Sequence, residues 1–191
     1  MLRRHSGSLI RLPFVARLPS QVSDLIGTLF RLGLAAVWLI SGFIKAGDLN
    51  QTYAAVRAYQ VLPAGLVGPV ADVLPFLELA FGLLVLIGIG TRLMGVLSAV
   101  LLLVYIAGVA QSWARGLTID CGCFGHGGQV AAGQTQYPQE ILRDIGFLVL
   151  AVWLVLRPYT WFAVDGLFAR RYHAVDQGER GVTADEAVGR T

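Results

Sequence analysis

The stretch LMGVLSAVLLLVYIAGVAQSW, residues 93–113, runs for twenty-one positions without a formal charge, and Arg115 ends it. At a helical rise of ~1.5 Å per residue it covers the roughly 30 Å of a bilayer's hydrocarbon core. The whole chain agrees that lipid is the solvent. Of 191 residues, 55% are hydrophobic and 14% charged, where a soluble domain carries about 25% charged residues.

Upstream, Gly88, Gly90, Thr91 and Arg92 predict a tight turn out of a second apolar run, residues 67–90, with Pro69, Asp72 and Pro75 near its start and Glu78 near its middle. Residues 25–44 are a further run of twenty with Arg31 as the single charge, ended by Lys45, Gly47 and Asp48. Just beyond it, Leu49, Tyr53 and Val56 recur at i, i+4, i+7 spacing with polar residues between. That pattern predicts a short amphipathic helix at the membrane interface, closed by Pro63. Downstream, residues 145–156 are twelve uncharged positions, and counting from Pro138, well placed in a first helical turn, gives nineteen. The expected fold class is all-α: a polytopic membrane protein, a four-transmembrane-helix bundle with a short amphipathic interfacial helix after the first span.

The flanks divide the chain into three. Residues 1–22 read as a basic cytoplasmic leader, because Arg3, Arg4, Arg11 and Arg17 break up its apolar residues and leave no signal-peptide core. Residues 23–158 carry the transmembrane domain. In 159–191, Tyr159, Trp161 and Phe162 suit the lipid–water boundary, and the Gly-, Asp-, Glu- and Arg-rich tail has too few large apolar groups to fold. Of the basic residues, ten fall on the side of the termini and of Arg92, four (Lys45, Arg57, Arg115, Arg143) on the other, and Arg31 lies within a span. The positive-inside rule therefore expects a multi-pass protein of the inner, cytoplasmic membrane with both termini cytoplasmic. The net charge of +3 is used up in these flanks and forms no stripe, which excludes a nucleic-acid footprint.

This topology puts the polar island 118–128 outside, on the periplasmic or exoplasmic face. The island holds the two cysteines of the chain, in the order Asp120-Cys121-Gly122-Cys123, with His126 close behind. Disulfides form and persist on that face. Three readings follow. As a structural staple, the pair closes a ring of three residues, for which chain entropy supplies about 1.5 kcal/mol before strain, against roughly 3 for a fifteen-residue loop. As a thiol–disulfide exchange site, Cys121 and Cys123 are the catalytic sulfurs, and Gly122 lets the chain bend so that they meet; strained or exposed disulfides are the labile kind. Here Asp120 disfavours a thiolate, while His126 and the helix start at Pro138 favour one. As a metal centre, Cys121, Cys123 and His126 offer three ligands to Cu(I) or Zn(II), with no second ligand pair for a standard zinc site. On its own, His126 is the kind of residue that glycine-rich surface loops carry without a role.

Charges inside a membrane are costly and mark candidate sites. Arg31, Glu78 and, at the end of the first span, Lys45 are the intramembrane polar candidates. Arg31 and Glu78 differ in depth by about 8 Å at the helical rise, within reach of an arginine side chain, so an ion pair locking two helices is expected. The sharper alternative makes Glu78 a proton acceptor or part of a quinone-head pocket. Arg143 and Asp144, early in the last helix, are expected to neighbour the cysteine loop and orient it. No haem pair, nucleotide-binding glycine loop or Ser-His-Asp pattern is present.

Cys121-Gly122-Cys123-Phe124-Gly125 followed by Arg143-Asp144, together with Ser41-Gly42-Phe43-Ile44-Lys45 and Leu74-Pro75-Phe76-Leu77-Glu78-Leu79 with Gly82, resembles the MauE branch of the DoxX-like integral membrane proteins over residues 25–157. The resemblance implies a four-helix bundle. In the methylamine-utilisation setting it also implies maturation of a disulfide-rich periplasmic enzyme subunit, and elsewhere thioredoxin-like partners. The quinone-linked disulfide-forming oxidoreductases of the membrane are similar in bundle form but use more than one cysteine pair. With a single pair, either a quinone meets the cysteines directly, or a thioredoxin-like or client protein on the outer face supplies the next step.

Overall fold

The computed structural model describes residues 20–122, 127–131 and 133–158. Residues 1–19 of the expected leader, the aromatic belt and polar tail, and Cys123 and His126 lie outside the described residues.

Five α-helices are present among these residues: α1 (Ser20–Gly47), α2 (Leu49–Ala58), α3 (Ala64–Ile87), α4 (Thr91–Ala114) and α5 (Tyr137–Leu156). Three of them, α1, α3 and α4, are long and apolar enough to cross a membrane. The fourth expected crossing corresponds to α5, twenty residues long, whose first two turns carry Glu140, Arg143 and Asp144. α1 starts ahead of the apolar run and takes in residues 20–22 of the expected leader. Asp48 caps α2 by accepting from the Gln51 N–H at 2.9 Å. Between α3 and α4, Gly88 and Gly90 adopt left-handed φ of 77° and 60°, which is the tight turn expected there.

The helices pack as two pairs, α1 with α3 and α4 with α5, with α1 also against α5. Glycine sets the closeness of each pair, since helix association in lipid relies on backbones that can approach. A Cβ on Gly42 would lie 3.0 Å from the Pro75 carbonyl oxygen and 2.8 Å from Leu79 Cγ, and one on Gly82 would lie 2.7 Å from Leu39 Cγ. Gly95 meets Ala151 and Val155 of α5 in the same way. The core is formed by Leu34, Trp38, Val85, Leu102, Ala151 and Leu154. Trp38 stands edge-on to Phe81 at 5.9 Å and donates from Nε1 to Ser98 Oγ at 2.9 Å, so its one polar atom is satisfied inside an apolar core. Large apolar side chains also cover the outside: Phe43 is 66% exposed, Leu93 61% and Leu142 71%. A soluble monomer does not display so much apolar surface.

α2 turns the expected amphipathic pattern around. Thr52, Ala55 and Ala58 are the buried face, while Leu49 and Tyr53 are each 39% exposed. Small residues pack inward and the larger apolar ones face out, as they do when the surroundings are as apolar as the core. The polar island holds a feature absent from the sequence reading, a hairpin of two short antiparallel strands, β1 (Ile119–Asp120) and β2 (Gly128–Gln129). Ile119 pairs with Gln129 and Asp120 with Gly128, so Cys121 follows the last paired residue of β1 and Gly127 precedes the first of β2.

Candidate functional site

The loop is built from its backbone outward. Gly122 has φ +69°, and a Cβ there would lie 2.9 Å from both Ala55 Cβ and Gly127 Cα. Only glycine fits that left-handed, crowded position at low cost. Two helices clamp the loop. From α2, Gln51 Nε2 donates to the Gly127 carbonyl. Tyr59, the residue capping α2, donates from its hydroxyl to the Cys121 carbonyl at 2.9 Å. From α5, Tyr137 donates to the Leu117 carbonyl at 2.5 Å and accepts from the Ile119 N–H at 3.3 Å, and its ring stacks on Trp113 at 6.3 Å.

Cys121 is 7% exposed. Its N–H donates to Glu140 Oε1 at 3.2 Å, and its sulfur accepts from Arg143 Nη2 at 3.2 Å. Arg143 also binds Asp144 Oδ1 through Nε at 3.1 Å, which holds the guanidinium in place over the sulfur. The structure thus brings Asp120, Cys121, Arg143 and Asp144 of the sequence candidates together. A guanidinium on the sulfur favours the thiolate, the reactive form. Asp120 and Glu140 oppose it by charge, so the site is balanced between signs. Glu140 is a site residue that the sequence reading missed. The signal was available: it lies one helical turn ahead of Arg143 and Asp144, hence on the same face.

Glu140 Oε2 and Asp144 Oδ2 are buried with no hydrogen-bond partner among the described residues. Asp120, Cys121 and Glu140 bring their donor atoms within 4.8 Å of one another. A borderline cation would find three donors there, with carboxylates in place of the expected Cys123 and His126.

A second polar cluster lies deeper. Lys45 Nζ contacts Glu78 Oε1 at 2.5 Å and donates to Ser41 Oγ at 2.8 Å. Ser41 donates to Glu78 Oε2 at 2.9 Å, and the Tyr105 hydroxyl donates to Glu78 Oε1. Glu78 is fully buried. The partner of Glu78 is therefore Lys45 and not the expected Arg31. The register explains the correction: Gly42 faces Pro75 and Leu79, and Leu39 faces Gly82. Continued down the antiparallel pair, that register sets Arg31 level with the 88–90 turn, about three turns below Glu78.

Between the two clusters is a cavity of ≈ 920 Å³. Cys121, Gly122 and Gly127 line it at the loop, Lys45 and Tyr105 at the ion pair, and apolar residues of α2, α3 and α4 between.

The family model described as "Methylamine utilisation protein MauE" matches residues 23–157. The chain is similar to the "Methylamine utilization protein MauE" of Paracoccus denitrificans, with 36% identity over 155 residues, covering 81% of this chain and 76% of that protein. No solved structure matches. The matched span takes in α2 to α5, all of α1 but its first three residues, both polar clusters and the cysteine loop, and on it the chain belongs to the MauE family of methylamine utilisation proteins.

Proposed function

We propose that this membrane protein serves methylamine utilisation, as the name of its Paracoccus relative says of that protein, by exchanging disulfides through Cys121 and Cys123 with a thioredoxin-like or client protein. The observation that carries this reading is the Arg143 guanidinium on the Cys121 sulfur. A staple has no use for a cation that stabilises a thiolate; an exchanging sulfur does. In this reading α5 is a fourth crossing, α2 lies at the interface, and the loop faces the periplasm with both termini in the cytoplasm. Two thiols of this protein become a disulfide as a disulfide of the partner is reduced to two thiols, or the reverse, so electrons and protons balance between the two proteins.

The test is to trap the partner. In cells carrying Cys123→Ser or Cys121→Ser, a mixed disulfide should accumulate, sensitive to reductant. A Cys121→Ser, Cys123→Ser double variant that matures its client at the wild-type rate would sink the proposal in favour of a non-enzymatic membrane anchor. A membrane-impermeant thiol reagent on intact cells, with and without prior reduction, tests the orientation; labelling only after lysis would reverse it. A second reading, a metal module, is favoured by the convergence of Asp120, Cys121 and Glu140 and opposed by the charge of Arg143. It requires that reduced protein retain Zn(II) or Cu(I) through gel filtration.

A further inference from the structure

We propose that the ≈ 920 Å³ cavity between the cysteine loop and the Lys45–Glu78 pair is the binding site for the ring of a membrane quinone, which accepts the electrons of the cysteine pair. This rests on the thiol–disulfide reading above and supplies its electron acceptor.

The cavity lies at the upper end of the ~300–1,000 Å³ of small-molecule sites and has their usual make-up, apolar walls with a few polar groups at fixed places. Its walls include Val104, 59% exposed, and Ile44, 39% exposed. Both belong to the apolar outer surface, so the occupant enters from lipid and is itself lipophilic.

Two polar features separate a quinone from an acyl chain. At the inner end, the Lys45 ammonium has three protons and gives two, to Ser41 and Glu78. The third has the Tyr105 ring as its neighbour, 5.3 Å from Nζ to the centroid, and can turn to an acceptor oxygen, which a quinone carbonyl has and an acyl tail lacks. At the outer end the wall is Cys121 itself. A ring lying between them has a hydrogen-bond donor at one side and the cysteine loop at the other, where Arg143 of α5 holds the Cys121 sulfur. In the step, the two thiols of Cys121 and Cys123 lose two electrons and two protons as the sulfur–sulfur bond forms, and the quinone takes up both to become the quinol.

The experiment uses the full chain in nanodiscs, reduced and freed of reductant, with decylubiquinone as acceptor. One quinone should be reduced for each pair of thiols lost. Ala107→Trp, which fills the cavity from an exposed position on its wall, should slow this by roughly tenfold or more. Val100→Trp, 54% exposed on the same helix and outside the cavity, should leave it unchanged. An azido-quinone should label peptides of α2 and α4, with decylubiquinone competing. Oxidised glutathione, applied separately, tests whether the pair cycles at all. Thiols that oxidise with glutathione but neither reduce decylubiquinone nor protect against labelling overturn the quinone site and leave the exchange reading standing. Thiols inert to both reagents overturn the exchange reading; labelling then judges the cavity alone. A phospholipid in the cavity that decylubiquinone does not displace, or labelling confined to peptides that do not line the cavity, also overturns the proposal.

Discussion

Arg143 reaches back across twenty-two residues of chain to place Nη2 3.2 Å from the sulfur of Cys121. One cation on one sulfur gives the site a sign that can be tested by charge. Arg143→Gln should slow alkylation of the reduced protein at neutral pH by roughly tenfold, the equivalent of ~1.4 kcal/mol against the thiolate. The rate profile should move to higher pH. Stopped alkylation with iodoacetamide across a pH series reads both, and an unchanged profile would remove Arg143 from the chemistry.

Glu140→Gln should act in the opposite direction. The amide oxygen can still accept from the Cys121 N–H, so the loop keeps its anchor, while a negative charge beside the sulfur is lost. Alkylation should be faster at a given pH, with the profile moving to lower pH. Slower alkylation together with a fall in melting temperature would mean that Glu140 only holds the fold.

Removing one member of the deeper pair should cost more than removing both. Lys45→Met leaves Glu78 buried at 0% exposure with no cation, a change that typically costs about 3–5 kcal/mol. The Lys45→Met, Glu78→Leu double variant should recover most of that in thermal unfolding in detergent. If the double variant is as unstable as the single, the pair is not what stabilises the junction.

Gly82→Val should loosen α1 from α3 because its Cβ would fall 2.7 Å from Leu39 Cγ. Overpacking of this kind costs about 1–3 kcal/mol. Gly68→Ala, at a position with nothing within 4 Å, is the matched control and should leave the melting temperature unchanged or slightly raised.

In the loop, Gly122→Ala meets two obstacles, the φ of +69° and the Ala55 methyl at 2.9 Å. Adding Ala55→Gly should remove the second and not the first, so thiol reactivity should return only in part. Full return would mean that crowding, not backbone conformation, requires the glycine.

How much of this was legible in the sequence follows from the range of each interaction. The long helices could be read because an apolar run records its own length: residues 93–113 fall inside α4, and the twelve uncharged positions 145–156 are the last three turns of α5. The proximity of Arg143 to Cys121 could be read because Arg143 stands in the first turns of the helix that follows the cysteine loop. The Lys45–Glu78 pairing could not, because depth counted along each helix ignores the sliding of one helix past the other, which Gly42 and Gly82 fix. Tyr59 and Tyr137 escaped notice because they bind loop carbonyls with side chains that look like ordinary interfacial aromatics. Strands of two residues are too short to show any period.

The buried ion pair also bears on how the chain enters the bilayer. Lys45 precedes Glu78 by thirty-three residues, so during synthesis the cation is in place at the end of α1 when the carboxylate of α3 arrives. A lone carboxylate at that depth would resist leaving the insertion machinery. Here it can leave already neutralised, with Gly42 and Gly82 admitting the second helix alongside the first. The order of the residues along the chain is thus an order of assembly, in which α1 serves as the template on which α3 is received.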